Sequence, residues 1–232
     1  MQKEIKQLLT QISLKVLAVL LLLISCLLVF AYIADENVLE NNKAFDEKVI
    51  AFVAAHSTPL LIQVMQIITF FGSCYFLLPA YFVLIVFFLW KKEKAYATDI
   101  TIIAVSSTAV MFLLKEIFKR HRPLLPVGKT LMSYSFPSGH SVSSFIFCSV
   151  LAYLVWMLPI KKIWKYIIAF LLLLFAAVIG LSRIVLNVHY ATDVIAGFCF
   201  GTVWVVISFW VMNKIRNKNT VNGTVKADNE LC

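Results

Sequence analysis

The stretch VIAFVAAHSTPLLIQVMQIITFFGSCYFLLPAYFVLIVFFLW, residues 49–90, contains no Asp, Glu, Lys or Arg. A helix crosses the hydrocarbon core in about 20 mostly apolar residues, so this stretch is too long for one crossing. Pro59 and the pair Gly72-Ser73 punctuate it. Residues 74–90 make a good span that ends in Lys91-Lys92-Glu93-Lys94. The status of residues 49–71 then decides the fold. A seventh crossing there would put the basic N-terminal and C-terminal segments on opposite sides. With six crossings, the N-terminal lysines, Lys91 to Lys94, Lys161 to Lys165 and the C-terminal basic residues share one side, as the positive-inside rule requires. Six spans are therefore expected, with residues 49–71 lying on or dipping into the outer face as an interfacial helical segment.

The other spans are read at 16–34, 100–114, 141–158, 166–181 and 194–212. The first is too long for a signal-peptide apolar region, and Tyr32-Ile33-Ala34 is a poor cleavage site. Composition agrees: 61% of the 232 residues are hydrophobic and 14% charged, where soluble domains carry about 25% charged residues. That excludes a soluble secreted protein, a disordered chain and a nucleic-acid-binding domain. The net charge of +9 is explained by the membrane. The expected fold is all-α, one six-helix membrane domain over residues 1–212, with a polar, disordered cytoplasmic tail over 213–232. Both termini are expected in the cytoplasm. Cys26, Cys74, Cys148 and Cys199 sit in apolar runs, and no cysteine pair has metal-ligand spacing.

Under this topology the outer side receives three polar clusters that break the charge rule. The first runs from Lys115 to Pro123. Lys115 follows the apolar Met111-Phe112-Leu113-Leu114, a depth at which a cation marks function by default. Arg122 lies seven residues on, about two turns, so both cations are expected on one helical face before Pro123 stops the helix. Alone, the cluster could equally snorkel to lipid phosphates.

The second cluster is Pro137-Ser138-Gly139-His140, just before a span. It leaves helix N-terminal amides free for an anion and puts an imidazole at the surface. The third is Ser182-Arg183, His189 and Asp193. A His and an Asp four apart are neighbours on a helical turn, and the Asp can fix the imidazole tautomer as in nucleophile–base–orienter groups. Taken singly, Ser138 and Asp193 also read as helix caps. Together the clusters bring three cations, free amides, two histidines and a carboxylate to one face, a set that a phosphate would neutralise. No Asp/Glu/His/Cys set has the spacing of a dinuclear metal site, so metal-free phosphoryl chemistry is favoured and no cofactor is expected.

These residues, in this order, resemble the three signature motifs of the type 2 phosphatidic acid phosphatase family. Lys115, Arg122 and Pro123 match the first motif, Pro137 to His140 the second, and Ser182, Arg183, His189 and Asp193 the third. The part of the family it resembles is the integral-membrane bacterial branch, of phosphatidylglycerophosphatase B and undecaprenyl-diphosphate phosphatase type. The resemblance implies a lipid phosphatase that removes a terminal phosphate at the outer membrane surface. It implies that His189 attacks phosphorus, oriented by Asp193, and that His140 protonates the leaving oxygen. It further implies that Lys115, Arg122 and Arg183 hold the phosphoryl oxygens, with Ser138 and the Gly139 amide. His121 lies outside the pattern. The expected partners are a lipid phosphate and membrane lipids, with no nucleic acid. Two rivals are a lipid phosphotransferase using the same site and an anion or lipid transporter. Transporters place polar sites near the midplane on broken helices, whereas these residues gather at span ends.

Overall fold

The computed structural model describes residues 2–124 and 133–229, with side chains over 14–124 and 133–216. Within them the chain is helical and has no strand. The elements are α1 (Gln2–Tyr32), a π-helical continuation (Ile33–Leu39), α2 (Ala44–His56), α3 (Pro59–Phe70), α4 (Cys74–Trp90), α5 (Lys94–Phe118), α6 (Gly139–Met157), α7 (Lys162–Val185) and α8 (Ala191–Asn229). The side chains of the expected tail beyond residue 216 lie outside the described residues, as does the loop around Gly128.

Six segments are long and apolar enough to cross a membrane: Leu14–Leu39, Pro59–Trp90, Lys94–Phe118, Gly139–Met157, Lys162–Val185 and Ala191–Arg216. Their surfaces are apolar outward. Leu28, Phe82 and Phe170 are each about two-thirds exposed, at 65%, 67% and 65%. The buried faces mix branched apolar residues such as Ile103 and Ile146 with small or polar ones such as Ser141, Ser144, Ala176 and Ala196. The small ones let helices approach one another when lipid offers no hydrophobic contrast. Gly180 shows the requirement: a Cβ there would meet the Phe198 ring at 2.5 Å. α6 packs most heavily against α7 and then against α8, and also touches α5 and α4.

Residues 49–71 do not form one segment. The chain breaks at Ser57-Thr58, where Thr58 Oγ1 accepts from the Leu61 amide at 3.2 Å and Pro59 opens α3. α2 and α3 both lie against α7. Met65, Val185, Leu186 and Val188 form a buried apolar cluster, with Val53, Leu61, Ile62 and Ile68 packed on it. That cluster clamps the α7–α8 connection that carries His189. The turn at Phe71-Gly72-Ser73 separates α3 from α4, as the sequence punctuation predicts. By length and composition, though, the candidate span takes in α3 as well as α4.

A second cluster holds the segment before α6. Phe136 is fully buried, with ring centroids 5.3 Å from Phe30 and 5.0 Å from Phe118. The Phe136-Pro137 peptide bond is cis.

Candidate active site

α5, α6, α7 and α8 deliver the three polar clusters to one end of the bundle. Lys115, in the last turn of α5, is buried, and its Nζ donates to the carbonyls of Tyr134 at 2.7 Å and Ser135 at 3.3 Å. Arg122 arrives by a different route from the helical register expected for it. α5 ends at Phe118, Lys119 takes a left-handed conformation (φ 46°), and Arg122 lies beyond the helix. The turn, not two further helical turns, brings it back to the site. Its Nε donates to the Ser133 carbonyl at 2.8 Å, and its Nη1 to the Val188 carbonyl at 2.7 Å.

The same Nη1 lies 3.0 Å from His189 Nε2. A guanidinium can only donate, so Nε2 accepts and the ring proton sits on Nδ1. Nδ1 faces Asp193 Oδ2 at 3.3 Å and Ser135 Oγ at 3.2 Å. Ser135 in turn donates to the same Asp193 oxygen, which also accepts the Tyr190 amide at 3.0 Å. Asp193 thus caps the start of α8 and orients the histidine at once. Burial pushes the His189 pKa down to about 3 against the opposing pull of Asp193. The ring is therefore neutral at physiological pH, with its Nε2 lone pair turned to Arg122.

Arg183, in the last turn of α7, is buried and donates from Nη1 to Thr69 Oγ1 of α3 at 2.6 Å. Its Nε is buried with no acceptor among the described residues. His140 lies close enough to Arg183, His189, Arg122 and Lys115 to feel each of them electrostatically. Ser138 precedes α6, fully buried; its amide donates to the Asp193 carbonyl at 3.0 Å and its Oγ accepts from Ser141 at 2.9 Å. The amides of Gly139, His140 and Ser141 come before the first helical bond, from Val142 N to Ser138 O at 3.1 Å. Gly139 sits beside Lys115, where a Cβ would lie 3.9 Å from its Cε. Ser182 is the motif residue that turns away: its hydroxyl bonds to its own helix at the Ile179 carbonyl, 2.6 Å. His121 is exposed.

The set comprises two histidines, an orienting carboxylate and three cations around free helix amides. No three His, Cys, Asp or Glu side chains converge to hold a metal among the described residues. The family description of the PAP2 superfamily matches residues 96–217, which take in all three clusters. The chain belongs to the PAP2 superfamily.

PAP2 relatives support the assignment along most of the chain. Phosphatidylglycerophosphatase B of Bacillus subtilis is 32% identical over 144 residues, covering 62% of this chain and 71% of that one. A putative undecaprenyl-diphosphatase, YbjG of Escherichia coli, is 29% identical over 126 residues, covering 51% and 59%. The fold is similar to the crystal structure of a transmembrane PAP2 type phosphatidylglycerolphosphate phosphatase from Bacillus subtilis. The TM-score is 0.75 at 28% identity, over 83% of this chain and 96% of the other. Aquifex aeolicus LpxE shares the fold at a TM-score of 0.56 and 24% identity, over 72% and 95%.

Four further residues that motif reading did not single out join the candidate site by direct contact: Ser135, Thr69, Arg120 and Asp46. Ser135 bridges His189 and Asp193, and Thr69 anchors Arg183. Arg120 links Asp193 to Asp46, which is fully buried on α2. The sequence held one usable signal, the Lys119-Arg120-His121-Arg122 run, whose members separate only once the chain turns at Lys119.

Proposed function

We propose that the protein is a metal-independent lipid phosphate phosphatase that works through a phosphohistidine at His189 on the extracytoplasmic surface. The observation that carries this reading is the geometry of His189, whose Nε2 lies 3.0 Å from Arg122 Nη1, the cation that would hold its target, while its Nδ1 faces Asp193 Oδ2. A phosphate oxygen would take Arg122 from the nitrogen and leave the lone pair pointed at phosphorus.

The Nε2 lone pair forms a nitrogen–phosphorus bond as the phosphorus–oxygen bond to the lipid breaks, and protonated His140 gives its proton to the leaving oxygen. Asp193 and Ser135 hold the Nδ1 proton and stabilise the positive charge on the ring. Water then attacks phosphorus, His140 takes its proton, and the nitrogen–phosphorus bond breaks to release phosphate and neutral His189. Lys115, Arg122, Arg183 and the first amides of α6, with Ser138, stabilise the equatorial oxygens.

Sidedness is read from helix direction. α5 and α7 end at the site while α6 and α8 begin there, so Lys91 to Lys94, Lys161 to Lys165 and Lys214 gather at the opposite end. Phe30, near the end of α1, packs on Phe136 beside the site, which puts Lys15 at that opposite end too. Basic residues mark the cytoplasmic side, so the site faces outward. Phosphatidic acid, phosphatidylglycerol phosphate and undecaprenyl diphosphate all present a terminal phosphate on an apolar anchor and are the substrate candidates.

The test is phosphate release from a short-chain phosphatidic acid by the purified protein in detergent with EDTA. Release that persists in EDTA and disappears in His189→Ala supports the reading. Strict dependence on Mg²⁺, or normal turnover by His189→Ala, contradicts it.

A further inference from the structure

Asp46 stands at the third position of α2, where an acidic residue ordinarily faces solvent and the helix's own amides. Here it is fully buried and both its oxygens leave the helix. Oδ1 accepts from the Thr192 amide at 3.0 Å, and Oδ2 accepts from Thr192 Oγ1 at 2.6 Å and Arg120 Nη2 at 2.8 Å. Arg120 Nη1 donates to Asp193 Oδ1 at 2.6 Å and to Thr192 Oγ1 at 2.8 Å, while the guanidinium stacks 4.2 Å from the Tyr190 ring centroid. The two oxygens of Asp193 are thereby divided: Oδ2 serves His189, Ser135 and the Tyr190 amide, and Oδ1 serves Arg120.

A buried guanidinium needs an anion, and an arginine with one carboxylate partner concentrates its charge there. If Arg120 had only Asp193, that charge would draw on the carboxylate that must stabilise the His189 cation. Asp46 takes half of the guanidinium and, through Thr192, fixes where α8 begins. The geometry points to Asp46 as a positioning residue for the nucleophile, acting through Arg120 and Thr192 on Asp193 and so on the proton and orientation of His189. This rests on the proposed role of His189, and it makes α2, from outside the PAP2 match, part of the machinery.

Asp46→Asn keeps the size of the side chain and removes its charge. In the purified full-length protein it is expected to lower kcat on a short-chain phosphatidic acid about 10- to 100-fold, with KM within about twofold because no phosphate ligand is altered. In an Asp193→Asn background the same change is expected to shift kcat less than about twofold, since the group through which Asp46 acts is already neutral. An equal loss in both backgrounds, or a loss confined to KM, overturns the proposal. A readout independent of turnover is the ¹⁵N spectrum of the histidines, with His189 assigned by His189→Gln. Wild type should show His189 as the Nδ1–H tautomer and Asp46→Asn a mixture; an unchanged tautomer overturns the proposal. If wild type releases no phosphate from any lipid phosphate, the phosphatase reading fails while the spectrum still decides the role of Asp46. Should Asp46→Asn not fold, Arg120→Lys, which keeps a cation but loses the fork that joins Asp46 to Asp193, must give the same split and the same tautomer mixture.

Discussion

Arg122 donates to Nε2 of His189 at 3.0 Å, so the candidate nucleophile is held by the cation that would grip its substrate. On the proposed mechanism, a phosphate that took Arg122 would leave this lone pair facing phosphorus. The contact also ties the tautomer to Asp193 on the other side of the ring.

Arg122→Lys should therefore harm catalysis more than its conserved charge suggests. A lysine cannot reach the Ser133 and Val188 carbonyls and a phosphate oxygen together. We expect kcat/KM for a short-chain lipid phosphate to fall about 100-fold with the protein still folded. A loss of less than about threefold, measured by steady-state kinetics, would show that charge alone suffices.

The buried neutral His189 also makes stability depend on pH. The unfolded chain takes up this proton near 6.5 and the folded protein only near 3, so between those values acid favours the unfolded state. Stability contributed by the neutral ring is present above about pH 6.5 and is lost as pH falls toward 3. Thermal unfolding in detergent across that window should show a steeper fall for wild type than for His189→Gln. Parallel curves would contradict the placement of His189 as a buried neutral ring.

Gly72, between α3 and α4, borders His140. A Cβ there would stand 2.5 Å from Ile179 Cγ2 and 3.1 Å from His140 Cδ2. Gly72→Ala should push the His140 ring aside and lower kcat by about tenfold or more. Adding Ile179→Ala opens space for the methyl group, and turnover by the double variant should recover in part. Full activity of Gly72→Ala would mean that His140 has freedom this packing denies it.

Leu124 is 86% exposed at the site end of the bundle. With Cys74 replaced by Ser, a Leu124→Cys variant should label with a membrane-impermeant maleimide on intact cells. A cysteine at Lys162, at the other end, should label only after permeabilisation. The reverse pattern would invert the orientation.

The spans were legible because lipid imposes long uncharged runs, and Lys115, His140, His189 and Asp193 stood out as polar residues at their ends. The tertiary contacts were not legible. Arg122 reaches the site through a left-handed turn at Lys119, and seven-residue spacing does not distinguish that from a continuing helix. Asp46 is 146 residues before its partner Thr192, so its burial is a product of tertiary packing alone. Thr69 likewise meets Arg183 across 114 residues. Residues 49–71 showed no charge to orient them, and only the Thr58 cap and the apolar contacts of Met65 reveal two helices laid against α7.

The central claim is covalent catalysis by His189, and rapid-quench trapping with a ³²P-labelled short-chain phosphatidic acid tests it most directly. Peptide mapping of the quenched wild-type protein should find acid-labile, base-stable label on His189, and none in His189→Ala. Turnover with no trapped label under burst conditions, or label on His140 or any other residue, would contradict the account.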